Sequence, residues 1–123
     1  MKKILIVEDE PAYAKLLHDQ LTQRGYLVIE AHDGLNGLEK IKSEKPDLVL
    51  LDIRMPKMDG MTMMDLLRKD DEGKIVKVIF LTNLEADEEM LKKVVEQLPL
   101  YYYVKSDTDL DKLITKIDEV ING

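Results

Sequence analysis

Five polar residues that directly follow short apolar runs have side chains suited to binding a cation and an anion together. They are Glu8, Asp9, Asp52, Thr82 and Lys105. Apolar runs without alternation are typical of strands buried on both faces of a parallel sheet. Because the strands of such a sheet end at the same edge, where ligands bind, we expect these side chains to lie on one rim.

The three carboxylates predict a magnesium site. In a flavodoxin-like strand order, strands one and three are neighbours, so Glu8, Asp9 and Asp52 would converge. Carboxylates in one cleft repel one another unless a proton or a hard divalent cation offsets their charge, and octahedral Mg²⁺ fits. Thr82 adds a hydroxyl donor, and Lys105 adds a movable positive charge on the far side of Asp52. That pair would suit a phosphoryl group formed on Asp52.

Five strand-and-helix units would position these residues. Apolar runs predict strands at residues 4–7, 27–31, 48–51, 76–81 and 101–104. Segments with apolar residues at helical spacing follow each strand. This alternation predicts an α/β fold with a five-stranded parallel sheet, five helices and right-handed crossovers. We expect the doubly wound, flavodoxin-like arrangement, with strand order 2-1-3-4-5.

The sequence also predicts how individual helices begin and which residues they bury. Pro11 suits the first turn of the first helix, and Asp59 can cap the third. Thr108 and Asp111 have the spacing of a capping box at the start of the last helix. The residues of the fourth helix that we expect to face the core are Met90, Leu91, Val94, Val95 and Leu98.

Composition narrows the functional classes. A length of 123 residues predicts a single domain over residues 1–123, with no output domain in this chain. The net charge of −7 argues against direct binding of nucleic acid. The absence of cysteine excludes disulfides, thiolate metal sites and thiol catalysis. No apolar run has the length of a signal-peptide core or a membrane span, so we expect a cytoplasmic protein that does not bind membranes.

Four segments carry a family resemblance. They are Ile-Val-Glu-Asp-Glu around Glu8, Leu-Leu-Asp-Ile-Arg-Met-Pro-Lys-Met-Asp-Gly around Asp52, Phe-Leu-Thr-Asn around Thr82 and Tyr-Tyr-Val-Lys-Ser around Lys105. With them, the chain resembles a response-regulator receiver domain of two-component signalling, similar to chemotaxis regulators, over essentially its whole length. The resemblance implies that Asp52 accepts a phosphoryl group from a phosphohistidine on a sensor histidine kinase or a histidine phosphotransfer protein. Such a protein catalyses only the phosphorylation and dephosphorylation of its own aspartate.

The resemblance also implies roles for individual residues. Glu8, Asp9 and Asp52, with the backbone carbonyl of Arg54, would hold Mg²⁺. Thr82 and Lys105 would contact the phosphoryl oxygens. Movement of Thr82 toward the phosphoryl group would let Tyr102 turn inward and would change the face formed by helix four, strand five and helix five, where a downstream protein would bind.

Three positions depart from the commoner family pattern. Ser106 stands after Lys105, where the family usually has a proline in a cis peptide bond. A cis bond before a residue other than proline costs about 2.5–4 kcal/mol, so we predict a trans bond here. Arg54 and Leu84 occupy positions at which the family adjusts the access of water to the phosphate, and Arg54 could either shield the site or stabilise the anion.

Two other classes of protein remain as alternatives. A phosphatase of the haloacid-dehalogenase type also uses an aspartate nucleophile, a threonine and a lysine, but it needs a second aspartate where this chain has Arg54. A receiver-like interaction module that is never phosphorylated would have no need for the acidic residues, Thr82 and Lys105 together. The receiver that is phosphorylated on Asp52 is therefore the favoured interpretation.

Overall fold

The strands form one parallel sheet. The structure is a computed structural model that describes residues 1–84 and 86–123. Its strands are β1 (Lys3–Val7), β2 (Leu27–Ala31), β3 (Leu48–Leu51), β4 (Val78–Thr82) and β5 (Tyr101–Val104). They pair in parallel in the order β2-β1-β3-β4-β5, which confirms the predicted topology. The fourth strand begins two residues later than predicted, at Val78.

Five α-helices cover the two faces of the sheet. They are α1 (Pro11–Gln23), α2 (Gly34–Glu44), α3 (Gly60–Lys69), α4 (Glu88–Glu96) and α5 (Leu110–Asn122). Buried residues of α1 and α5 pack on one face, and those of α2, α3 and α4 pack on the other. Among the described residues, no helix is both long enough and apolar enough to cross a membrane.

The burial of both sheet faces explains why the central strands are continuously apolar. In β1, Leu5 and Val7 belong to one core cluster, whereas Ile4 and Ile6 belong to the other. All four side chains are almost completely buried. Successive side chains of a strand point to opposite faces, so a strand covered on both sides has no position for a solvated residue.

Aspartate side chains cap four of the helices. Asp33, Asp59 and Asp87 each accept a hydrogen bond at 2.8 Å from the backbone N–H three residues later. The prediction for Asp59 is therefore confirmed. For α5 the capping-box prediction is wrong, because Asp109 is the cap, and the Thr108 hydroxyl instead donates to the carbonyl of Val104 at 2.7 Å.

The prediction that five apolar residues of the fourth helix face the core is right for two of them and wrong for three. Val94 is buried and Met90 is half-buried, and both lie against the core. Leu91 is exposed, as are Val95 (67% exposed) and Leu98 (69% exposed). Positions 90 and 94 form one stripe of the helix and positions 91 and 95 form the adjacent stripe, whereas Leu98 lies beyond the end of α4 at Glu96. Since the core contacts only the first stripe, the second faces solvent.

Arg68 of α3 ties the end of α4 to the rest of the fold. Its guanidinium donates to the carbonyls of Gln97 at 2.8 Å and Leu98 at 3.2 Å, just beyond the last turn of α4. It also donates to the carbonyls of Gly73 at 2.7 Å and Val76 at 2.8 Å. These bonds join the segments that follow α3 and α4 to one guanidinium group, and they hold the end of α4 beside α3.

The loop that leaves β3 is held by the start of α3. The Gly60 N–H donates to the carbonyl of Ile53 at 2.8 Å. A Cβ atom at position 60 would lie 2.4 Å from the carbonyl oxygen of Asp52, so only glycine fits here. The position of Asp52 therefore depends on close contact between two backbone segments.

We predict that Gly60→Ala lowers the free energy of unfolding by about 1–3 kcal/mol, because the added methyl group must displace the backbone of Asp52. Urea denaturation would measure the change. Thr62→Ala, at an exposed position of the same helix, is the control, and we expect it to change stability by less than about 0.5 kcal/mol. Equal stability of the two variants would contradict the steric argument.

Candidate functional site

The buried ammonium group of Lys105 is the centre of a cluster of carboxylates. Its side chain is only 4% exposed. The Nζ atom lies 2.5 Å from Glu8 Oε1, 3.3 Å from Asp52 Oδ2 and 3.4 Å from Glu10 Oε1. One positive charge is thus shared by three carboxylates.

The strand register brings these side chains together. Val7 at the end of β1 pairs with Leu51 at the end of β3, so Glu8 and Asp52 leave neighbouring strands side by side. The backbone N–H of Asp52 donates to the carbonyl of Val7 at 3.0 Å, which fixes their separation. Lys105 follows β5 and reaches back along the rim of the sheet to both residues.

Burial controls the protonation of Glu8. Loss of solvation raises the pKa of Glu8 to about 7, the hydrogen bond from Lys105 opposes this rise, and the negative charge of Asp52 adds to it. Burial by itself would lower the pKa of Lys105. Its hydrogen bond and ion pair with Glu8, together with Asp52, nevertheless raise that pKa above its ordinary value.

The donor atoms fit a hard divalent cation. One oxygen each from Glu8, Glu10 and Asp52 lie within 4.8 Å of one another. Asp52 Oδ1 is buried and has no hydrogen-bond partner among the described residues. Mg²⁺ binds oxygen ligands, and one or two carboxylates are its usual protein ligands. These residues could therefore hold the ion that the sequence predicts.

The structure brings together only some of the predicted ligands. Glu8 and Asp52 are in the cluster, but Asp9 is half-buried and does not belong to it. Glu10 takes its place, although the sequence analysis gave this residue no role in the site. The sequence offered one indication of this role, because Glu8, Asp9 and Glu10 are consecutive and any of the three carboxylates could face the site. The side chain of Arg54 is exposed.

Thr82 and Tyr102 are joined through the backbone of Leu84. Thr82 is buried at the end of β4, and its Oγ1 accepts a hydrogen bond from the Leu84 N–H at 3.2 Å. The Tyr102 hydroxyl donates to the carbonyl of Leu84. The ring of Tyr102 packs against the core, 6.0 Å from that of Phe80. The two residues predicted to act as a switch therefore contact one short segment of chain.

Two further features concern Lys105. The ring of Tyr13, on α1, lies 4.5 Å from Nζ in a cation–π contact that sequence analysis did not identify. The peptide bond between Lys105 and Ser106 is trans, as predicted, and these residues begin a short 3₁₀ turn. The side chain of Lys105 reaches the site without a cis bond.

We predict that stability in EDTA falls as the pH rises from about 5 to about 8, owing to Glu8. The folded protein holds the Glu8 proton up to a pKa of about 7, against an ordinary value of 4.5. The contribution of Glu8 is therefore complete below the ordinary value and is lost as the pH rises through about 7. Relative to Glu8→Gln, the wild-type protein should lose about 2 kcal/mol over this range.

Urea denaturation of both proteins at several pH values would measure this loss. Mg²⁺ should restore the stability of the wild-type protein more strongly at pH 8 than at pH 5, because the metal binds the deprotonated carboxylate. Parallel pH profiles for the wild type and Glu8→Gln would show that Glu8 does not titrate in this range.

Comparisons with known proteins indicate the family of this chain. The family model of the response regulator receiver domain matches residues 4–118. The chain is 47% identical over 68 residues to the alkaline phosphatase synthesis transcriptional regulatory protein PhoP of Bacillus subtilis, covering 55% of this chain and 28% of that protein. It is 34% identical over 94 residues to the polar-differentiation response regulator DivK of Brucella anthropi, covering 75% of this chain and 76% of that protein.

A solved structure is similar over nearly the whole chain. The response regulator TrrA of Thermotoga maritima, in complex with Mg²⁺-BeF, has a TM-score of 0.82 and 35% identity, and the match covers 98% of this chain and 99% of that one. The chain spans about a third of the length of three transcriptional regulators that it matches. The family match over residues 4–118, together with the fold, shows that the chain belongs to the response-regulator receiver domains of two-component systems.

Proposed function

We propose that Asp52 accepts a phosphoryl group from a phosphohistidine on a sensor histidine kinase or a histidine phosphotransfer protein. The observation that carries this proposal is the Asp52 carboxylate itself. One of its oxygens lies beside the buried ammonium of Lys105, and the other is buried without a hydrogen-bond partner among the described residues. A free carboxylate oxygen in a site with a fixed positive charge is a suitable nucleophile for phosphoryl transfer.

The transfer needs little chemistry beyond positioning and charge neutralisation. An Asp52 oxygen attacks phosphorus, an O–P bond forms, and the P–N bond to the imidazole breaks. The histidine takes a proton as it leaves. Lys105 would then serve as counter-ion to the new phosphoryl oxygens. Attack by water on the acyl phosphate later returns the free carboxylate and releases inorganic phosphate, so the chain acts only on its own aspartate.

Mg²⁺ would supply charge stabilisation for the transferring phosphoryl group. Glu8 and Asp52, which lie in the cluster, would hold it together with the carbonyl of Arg54, and Asp9 would join them only if its side chain turned toward the site. Glu8 now pairs with Lys105, so ion binding would require Glu8 to share or release that contact. The Mg²⁺-BeF complex of TrrA, 35% identical to this chain, supports the assignment of both the ion and a phosphoryl-like group to this class of site.

Phosphorylation would be transmitted through Leu84. Thr82 would exchange its bond with the Leu84 N–H for one with the phosphoryl group, and this would shift the loop that also holds the Tyr102 hydroxyl. The shift would alter the populations of two states of the face formed by α4, β5 and α5. Exposed apolar side chains occupy this face, and a downstream protein would bind them; they are Leu91, Val95, Leu98, Leu100 and Tyr101.

We expect this protein to act in the cytoplasm, where sensor kinases carry their phosphohistidines. The net charge of −7 makes direct binding of nucleic acid by this domain unfavourable. Its output would therefore depend on contact with another protein or domain.

We predict that wild-type protein incubated with acetyl phosphate and Mg²⁺ gains one phosphoryl group and that Asp52→Asn gains none. The amide cannot act as the nucleophile, although its size is the same. Intact-mass spectrometry would detect the adduct. Asp71→Asn, which alters an exposed carboxylate outside the site, is the matched control and should behave as wild type.

The outcome separates this function from the alternatives. If neither protein gains a phosphoryl group, and Mg²⁺ with beryllofluoride also leaves the amide spectrum unchanged, the chain is an unphosphorylated interaction module. Steady hydrolysis of an added phosphate ester would instead indicate a phosphatase.

We predict that Thr82→Val separates phosphorylation from switching. Valine has nearly the same shape but no hydroxyl, so it cannot bond the Leu84 N–H or a phosphoryl oxygen; the loss should cost about 1 kcal/mol of stability. With beryllofluoride, amide shifts near Asp52 should persist, whereas those at Leu84 and Tyr102 should shrink. Thr82→Ser keeps the hydroxyl and should retain both sets. Full shifts at Tyr102 in Thr82→Val would exclude a role for the hydroxyl.

A further inference from the structure

Glu10 is a carboxylate at the solvent side of the site that the proposed reaction does not use. It precedes α1, and its side chain makes no capping hydrogen bond, unlike the aspartates that begin α2, α3 and α4. The side chain is 56% exposed, and its Oε1 lies 3.4 Å from Lys105 Nζ. The carboxylate is therefore free to face the site.

Glu10 differs from the other carboxylates around Lys105 in its exposure to solvent. Both oxygens of Glu8 are engaged, one by Lys105 and one by the backbone N–H of Glu10 at 3.1 Å. Asp52 is 5% exposed, with Oδ2 beside Lys105 and with Oδ1 buried and without a hydrogen-bond partner among the described residues. Glu10 and the ring of Tyr13 both contact the ammonium, and of the carboxylates that contact it Glu10 is the exposed one. Glu10 is therefore the carboxylate of this cluster that is accessible from solvent.

The charge of Glu10 affects which ions the site attracts, because the carboxylates around Lys105 outnumber its single ammonium group. Glu8, Glu10 and Asp52 together face a single ammonium group, so their fully ionised forms leave an excess of negative charge. That excess attracts a divalent cation and repels a small anionic phosphodonor, in each case through the same Coulomb interaction. Glu10 also competes with any incoming phosphoryl group for Lys105.

We propose that Glu10 determines which phosphodonors the site accepts, by favouring Mg²⁺ and disfavouring small anionic donors such as acyl phosphates. This inference rests on the proposed function of Asp52. In the disfavoured reaction an Asp52 oxygen attacks the phosphorus of acetyl phosphate, an O–P bond forms, the bond between phosphorus and the acyl oxygen breaks, and acetate leaves. Glu10 takes no part in these bond changes. It sets the electrostatic cost of bringing the donor to Asp52.

The inference predicts two effects of opposite sign in one variant. Glu10→Gln keeps the size of the side chain and an oxygen that Lys105 can bond, but it removes the charge. We expect Mg²⁺ to bind about two- to fivefold more weakly, and acetyl phosphate to react about two- to fivefold faster at saturating Mg²⁺, at low ionic strength. Phosphoramidate carries less negative charge, so its rate should rise less. If Glu10 only supported the structure, its replacement would weaken Mg²⁺ binding and also slow the reaction with acetyl phosphate.

Mg²⁺ affinity can be measured by amide chemical-shift titration, and donor reactivity by intact mass over time. Glu39→Gln, an exposed change of equal charge on α2, should match the wild type in both assays. Glu10→Asp, which keeps the charge, should remain closer to wild type than Glu10→Gln does. Added salt should reduce the differences between donors.

Each result decides for or against the inference. Weaker Mg²⁺ binding together with faster acetyl phosphate reaction supports it. Unchanged Mg²⁺ affinity, or a reaction rate that is unchanged or slower, overturns it. If wild-type protein binds Mg²⁺ but never gains a phosphoryl group, the proposed function of Asp52 fails, and the titration alone then shows whether Glu10 favours the cation.

Discussion

The ion pair between Lys105 and the carboxylates of Glu8 and Asp52 is the contact on which the site depends. Removing these charges from water is costly, and it is offset only because three strands bring the partners within hydrogen-bond distance. That arrangement requires β1 and β3 to be neighbours, and Lys105 to reach across from β5. The sheet order therefore determines the chemistry of its edge. Burial in this site raises the pKa of Glu8 although Lys105 opposes the rise, and one oxygen of Asp52 has no hydrogen-bond partner among the described residues. The stable fold therefore contains a site that is incompletely satisfied.

The apolar runs were sufficient to predict a parallel sheet with Glu8, Asp52 and Lys105 on one rim, because each of these residues follows such a run. Such runs have few other structural solutions in a chain of this length. The strand order itself came from the flavodoxin-like arrangement expected for the sheet. The pattern was less informative for α4. Two adjacent stripes of that helix are apolar, and periodicity alone does not show which stripe contacts the core. The stripe containing Leu91 and Val95 is exposed because the sheet offers α4 only a narrow contact.

Other features depended on tertiary geometry that no local pattern contains. The hydrogen bonds of Arg68 could not be predicted, because its four carbonyl partners belong to segments that meet only in the folded chain. Thr108 satisfied the spacing of a capping box, but a carbonyl of β5 lay within reach of its hydroxyl and bound it instead. Among three consecutive acidic residues, the choice of Glu10 over Asp9 depends on how the chain turns into α1. Side-chain direction at such a turn is set by backbone angles that sequence spacing does not specify.

The backbone of Leu84 links the two residues expected to report phosphorylation, since its N–H contacts Thr82 and its carbonyl contacts Tyr102. Both contacts are made by main-chain atoms. Evolution can therefore replace the side chain at position 84 and so vary what lies near the phosphate, while both contacts remain. An insertion or deletion between Thr82 and Leu84 would move the carbonyl out of register with Tyr102. Loop length, rather than side-chain identity, is thus the property that selection should hold constant in this segment.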